Sequence, residues 1–395
     1  MRGYRADVAF DGERRLPGGA LVLVEDGVIA AVEPASAAAP EGCEVTQLPG
    51  TALLPGLIDT HVHLCGDSSP RALERIPELS AAELTSVIRT AEQQHLRAGV
   101  TAVRDLGDHR WTVVERSRHG RNGPSIVAAG PPLTSPGGHC WSMGGETTGA
   151  GSLRRAVRER VERGAGVVKV MASGGVMTPG TDMLACQFTL EELRAVVDEA
   201  HGHGLPVTAH AHGLAAVERA VDAGVDGIEH CSCLTGDGTR LPRALAERLV
   251  EAGIYVCPTL GRVPGVDPPP HVEARLAAVG ARYEDHLVHT TELLGTGITF
   301  LAGTDAGIGP SKRHGLVPMA VVDLVACGAS AADALASATG LAARACGLQR
   351  RTGRLAAGLD ADLLLVDGDP LSDVTALQRP RAVVSRGREI PLTQA

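Results

Sequence analysis

The sequence predicts an α/β protein: a (β/α)8 TIM barrel joined to a small composite β-sandwich domain built from both chain termini. Three observations lead to the barrel. From about residue 56 to 350, short β-rich runs alternate with Ala/Leu/Glu/Arg helical patterns, the signature of repeated βα units on a parallel sheet. Eight such runs can be read, the number that closes a barrel. Aromatic residues make up only 2% of a chain that is 44% hydrophobic. The core must therefore be built from Ala, Val, Leu and Ile, which suits parallel strands covered by helices on both faces.

The elements follow in order. Near the start, runs at 21–25 and 28–33 flank Asp26-Gly27, a strong hairpin signal, and residues 1–55 form the first part of the small domain. Barrel strands are expected at 57–63, 101–106, 126–129, 167–172, 206–210, 227–230, 255–259 and 299–303. Capping boxes pair Ser80 with Glu83 and Thr189 with Glu192, and Gly99 and Gly204 stand where helix C-terminal caps belong. The Pro-rich stretch 264–270 reads as a surface loop. Runs at 362–367 and 382–385 lie in residues 351–395, the second part of the small domain.

Composition excludes several classes. With a net charge of -9 and dispersed Lys and Arg, the chain has no basic stripe to neutralise phosphates, so nucleic acid is not an expected partner. The first ten residues mix Arg2, Arg5 and Asp7 without an apolar centre, unlike a signal peptide. No uncharged apolar stretch is long enough to span a bilayer, so no membrane contact is expected. Nine scattered cysteines without C-x2-C spacing suit reduced thiols in a cytoplasm. Cys65, Cys231 and Cys233 read first as small apolar fillers.

Metal-binding side chains recur at the C-terminal ends of the expected strands, where barrel active sites are built. Asp59-Thr60-His61-Val62-His63 places two imidazoles two residues apart, on one face of a strand. Lys169 sits inside the apolar run Val167-Val168-Lys169-Val170-Met171. A lysine there is desolvated towards a neutral, nucleophilic amine, able to form a carbamate with CO2 whose oxygens bridge two cations. His210 and His230 end the fifth and sixth strands, and Asp305 in Gly303-Thr304-Asp305-Ala306-Gly307 puts a carboxylate at the rim of the eighth. Such an acid can move a proton between water and a leaving group.

Together these residues resemble the amidohydrolase superfamily over nearly the whole chain. The match comprises Leu54-Pro55-Gly56-Leu57-Ile58-Asp59-Thr60-His61-Val62-His63, Lys169, His210, His230 and Asp305. Within it, Lys169-Val170-Met171-Ala172-Ser173-Gly174-Gly175-Val176 and Ala209-His210-Ala211-His212-Gly213 are similar to the imidazolonepropionase-related branch of metal-dependent dipeptidases, carboxypeptidases and N-acyl amino acid hydrolases.

The resemblance implies that residues 1–55 and 351–395 assemble into the composite β-sandwich domain, and it implies a role for each site position. His61 and His63 hold one divalent metal ion, His210 and His230 a second, and carboxylated Lys169 bridges them. Asp305 touches the first metal and carries the proton, while His139, in Gly137-Gly138-His139, and His212 contact substrate. Zn suits the ligand set best, with Mn, Co and Fe compatible. The expected reaction is hydrolysis of an amide or peptide bond in a peptide or N-acyl amino acid-like small molecule, with removal of a peptide segment in natural-product tailoring as a specialised form.

One position departs from the branch. Where it often carries a tyrosine that grips a substrate carboxylate, three residues after the sixth-strand histidine, this chain has Cys233, leaving Lys312 or Arg313 as substitutes. Cyclic imide or lactam hydrolysis remains an alternative. Deamination is a weaker one, because the H-x-x-E of deaminases would need a glutamate where Gly213 stands. A homo-oligomer is compatible with all of these readings.

Overall fold

The Val/Ile/Leu runs fold as parallel strands in a computed structural model that describes residues 1–119, 122–282 and 284–392. One group contains Leu57–Val62, Val100–Asp105 and Ser125–Ala128 in sequence order. The other contains Val168–Met171, Val207–Gly213, Gly227–Thr235 and Tyr255–Cys257, again parallel and in order. Backbone bonds join the groups at both edges. On one side Gly166 N donates to Ala128 O at 2.9 Å, and Leu133 exchanges bonds with the Lys169–Met171 backbone at 2.8 and 2.9 Å.

On the other side the segment 299–303 lies between the first and seventh strands. Leu301 N donates to Val256 O at 2.9 Å, and Thr60 N donates to Ala302 O at 3.1 Å. The expected eighth strand is thus an extended connector with one isolated bridge, Val256 to Phe300, instead of a ladder. Glycine is needed at 303, where a Cβ would lie 2.6 Å from Cys257 Sγ and 2.8 Å from Thr60 Oγ1.

Helices between the strands bury one apolar side each. Ala81–Arg97 buries Leu84, Ile88, Ala91 and Leu96, and Leu190–Gly202 buries Leu193, Val196, Val197 and Ala200. Both capping boxes form: Ser80 Oγ accepts from Glu83 N at 3.3 Å and Thr189 Oγ1 from Glu192 N at 3.2 Å, with the glutamates bonding back. The stretch expected as a loop continues into a helix, Pro270–Ala277. Proline at its first position has no amide that the helix would leave unsatisfied.

Strands from the two chain ends interleave in two further sheets. Four strands run in the order Val28–Glu33, Ala20–Glu25, Arg2–Ala6, Glu44–Gln47. The hairpin turns at Asp26 and Gly27, both at positive φ, 50° and 84°, as a two-residue turn requires. Six strands run Arg388–Glu389, Pro380–Ser385, Leu363–Asp367, Thr51–Pro55, Val8–Phe10, Arg15–Leu16. Tyr4, Val22, Ile29, Leu53, Leu363 and Val384 bury a common core between the sheets. Thr51–Pro55 leads through Gly56 directly into Leu57–Val62, so the six-stranded sheet is continuous with the strand that bears His61. Among the described residues, no helix is long and apolar enough to cross a membrane.

Candidate active site

The predicted residues meet at the C-terminal ends of the strands. His61 Nε2 lies 3.3 Å and His63 Nε2 3.2 Å from the same oxygen, Asp305 Oδ1. Next to them the His210 and His230 rings stand with centroids 4.7 Å apart, and the His61 and His230 centroids are 5.5 Å apart. Among the described residues, donor atoms within 4.8 Å of one another form three groups: His61, His63 and Asp305; His210, His212 and His230; and, behind the first, His61, Glu229 and Cys257. His230, Thr259 and Asp305 all take positive φ, 68°, 55° and 59°. Backbone held there by non-glycine residues is costly, and such strain gathers at functional sites.

Second partners fix which nitrogen of each ring faces the centre. His61 Nδ1 is 2.8 Å from Glu229 Oε2, His63 Nδ1 3.2 Å from Gly107 O, and His230 Nδ1 2.9 Å from Thr259 Oγ1. Each of these rings therefore turns its Nε2 inward, as metal-binding histidines commonly do. His210 is reversed, its Nε2 lying 3.1 Å from Gly174 O. Burial, reinforced by neighbouring imidazoles, holds His210 and His230 well below the ordinary histidine pKa, and burial followed by the Lys169 charge lowers His61 to about 4. These rings are neutral at pH 7, the state a metal ligand needs.

Lys169 enters the same space from the strand Val168–Met171. Its Nζ is buried without a hydrogen-bond partner, and burial lowers its pKa despite the Glu229 and Asp305 charges. An orphaned buried amine is expensive. Its place beside four imidazoles and a carboxylate fits a site for divalent cations.

Three further charged residues, to which sequence reasoning gave no role, support these groups. Arg104, fully buried, donates through Nη2 to Glu229 Oε1 at 2.9 Å and through Nε to Thr60 O at 2.7 Å. Burial opposes ionisation of Glu229, but Arg104 and His61 hold its carboxyl well below the usual range. Asp59 accepts from Thr304 N at 3.0 Å and Thr304 Oγ1 at 2.6 Å, tying the first strand to the turn that bears Asp305. The available signal was their charge inside apolar strands, in Val103-Arg104-Asp105 and Ile228-Glu229-His230.

A cleft opens above the centre. His139 and His212 line it together with apolar side chains that include Met177, Leu234, Val272 and Ile308. Cys233 does not face it. The strand Gly227–Thr235 twists through positive φ at His230, Cys231 and Cys233, so Ser232 and Leu234 turn to the cleft while Cys233 is fully buried beside Cys231 and His289. The expectation that position 233 contacts substrate is corrected accordingly, since Cys233 is not among the residues that line the cleft. Ser232 occupies the wall instead, its Oγ 2.9 Å from His212 Nδ1. Lys312 also reaches the cleft, but its Nζ donates to the carbonyls of Thr259 at 2.7 Å and Gly261 at 2.8 Å, while Arg313 is exposed.

The sequence pattern of the amidohydrolase family matches residues 52–390. The chain belongs to the amidohydrolase family. This amidohydrolase is accordingly a hydrolase acting on C–N bonds, in a family that generally uses divalent metal. It is 29% identical over 375 residues to ochratoxinase of Aspergillus niger, the match covering 84% of this chain and 73% of that one. An imidazolonepropionase of Rubrobacter xylanophilus is 27% identical over 358 residues, covering 82% and 78%. Among solved structures, an Xaa-Pro dipeptidase with methionine bound in its active site superposes with a TM-score of 0.86 at 26% identity, covering 98% of this chain and 99% of that one.

Proposed function

We propose that this amidohydrolase is a binuclear metal enzyme that hydrolyses an amide or peptide bond in a peptide or N-acyl amino acid-like substrate. One arrangement carries the reading: His61 and His63 converge on Asp305, His210 and His230 stand beside them, and the unpartnered Lys169 amine lies in the same pocket. In this reading residues 56–350 form one (β/α)8 barrel whose eighth position is taken by the extended segment 299–303, and residues 1–55 and 351–395 a composite β-sandwich. His61, His63 and Asp305 would hold one cation and His210 and His230 the other, with Lys169, carboxylated by CO2, between them. Imidazole and carboxylate donors suit zinc. Nine free cysteines favour a reducing compartment, the cytoplasm.

When bound, two such cations lower the pKa of water and polarise the amide carbonyl. The protein's own groups do the rest. The apolar wall at Met177, Leu234 and Val272 holds a nonpolar substituent and keeps water from it. His139, its Nδ1 engaged by Thr178 Oγ1 at 2.8 Å, offers Nε2 to the carbonyl oxygen as negative charge develops there. Asp305 accepts a proton from the attacking water and delivers it to the amide nitrogen as the C–N bond breaks. An Xaa-Pro dipeptidase and an ochratoxinase among its likenesses agree with an amide substrate. Removal of a peptide segment during natural-product tailoring is a specialised form of the same chemistry.

An activity screen of the metal-loaded protein against N-acyl amino acids, dipeptides, longer peptides and cyclic imides tests the reading. Turnover of at least one linear amide, lost on chelation, is expected. Turnover of cyclic imides alone would replace the proposal with the lactam-hydrolase alternative.

A further inference from the structure

The helix Pro270–Ala277 meets the far wall of the cleft through Leu276, which joins an apolar cluster with Val176, Met183 and Leu184, and through the hydrogen bonds of Arg275. Arg275 Nη1 donates to Thr178 O at 2.7 Å, and Nη2 donates to Thr181 O at 2.6 Å and Gly175 O at 3.0 Å. All three acceptors are backbone carbonyls of the loop that follows the strand Val168–Met171. That loop governs His139 in two ways. Thr178 Oγ1 lies 2.8 Å from His139 Nδ1 and accepts from Cys140 N at 3.1 Å. Gly175 packs flat on the ring, so closely that a Cβ would lie 2.4 Å from both Cε1 and Nε2. The planar fork of a guanidinium can engage several carbonyls at once, which a point-like ammonium does less well.

We propose that Arg275 is a positioning residue that clamps the helix to the loop and, through Thr178 and Gly175, fixes the orientation of His139 in the cleft. The inference rests on the reading of His139 as a substrate contact, but its geometry stands without turnover. Removing the guanidinium frees three carbonyls and lets Thr178 leave His139. Both routes to His139, through Thr178 and through Gly175, run in the one loop that Arg275 holds, so changes at Arg275 and Thr178 should add less than fully.

The test uses the full-length protein and two measurements that need no substrate. One is the rate at which diethyl pyrocarbonate modifies His139, followed by peptide mass spectrometry; the other is amide hydrogen exchange across residues 174–182. Arg275→Ala is expected to raise His139 modification about tenfold or more, the factor that corresponds to losing one charge-assisted hydrogen bond. Thr178→Val should do the same, the double variant should exceed neither greatly, and Arg275→Lys should restore part of the protection. Unchanged exchange in Gly227–Thr235 shows that the fold survives; if Arg275→Ala does not fold, Arg275→Lys against Thr178→Val decides. Unchanged His139 modification in the folded Arg275 variants, or fully additive effects, overturns the proposal. With an amide that the screen finds, Arg275→Ala should lower kcat as well as raise KM. A screen without any substrate would sink the amidase reading and leave the labelling result standing.

Discussion

Asp305 has one oxygen within 3.3 Å of two imidazole nitrogens and a backbone held at positive φ, so the turn aims its carboxylate at the centre. Asp305→Asn keeps its size and removes its basicity. The turnover rate should fall about 100- to 10,000-fold with the fold intact, as measured by steady-state kinetics beside circular dichroism. Lys169→Ala should lose bound metal and activity together, with partial recovery in short carboxylic acids; normal metal content by elemental analysis would make the lysine structural. These residues were legible because their types are unusual on apolar strands and recur at strand ends. Glu229 and Arg104 were less so, because a lone buried charge looks the same whether it pairs structurally or steers a histidine. Their pairing spans two strands, and no spacing along the chain encodes it.

At the scale of the element, the strand Gly227–Thr235 decides what the cleft presents. Regular alternation starting at His230 would turn Ser232 and Leu234 inward, and the structure keeps that sense while its left-handed residues bury Cys231 and Cys233. Strand alternation alone places a position three residues from a ligand on the opposite face, so the burial of Cys233 was legible from the period of the strand. Cys233→Tyr therefore has no cavity to enter and should cost about 1–3 kcal/mol in denaturant unfolding by overpacking, without improving N-acyl amino acid hydrolysis. A substitution at Ser232 should instead shift KM. The capping boxes and the N-terminal hairpin were legible because their signals are local. The eighth strand was legible in place but not in form, because its pairing with the first and seventh strands reduces to an isolated bridge and a few backbone bonds.

At the scale of the whole molecule, bound cations would tie together residues from five different strand ends. A ligand that binds only the native state stabilises it by mass action, about 2.7 kcal/mol at a concentration 100 times its Kd. Chelation should lower the melting temperature in a thermal scan, and zinc or manganese should restore it, with about two ions per chain by elemental analysis. An unchanged melting temperature after verified metal removal would separate the centre from stability. The alternating middle of the chain revealed its architecture because each βα unit repeats the same pattern. The sheets from the two ends were legible only as a resemblance, since their partners lie at opposite ends of the sequence. That pairing has a consequence during biosynthesis. Leu54 finds its antiparallel partner Leu364 only after nearly the whole chain has been translated, and at about 5–20 residues per second the wait is tens of seconds. Throughout it, Leu53 and Leu54 lack their mates while the histidines a few residues downstream have already left the ribosome. A nascent chain stalled before residue 363 would carry a partly built centre on an unsealed edge, a species for chaperones to shield.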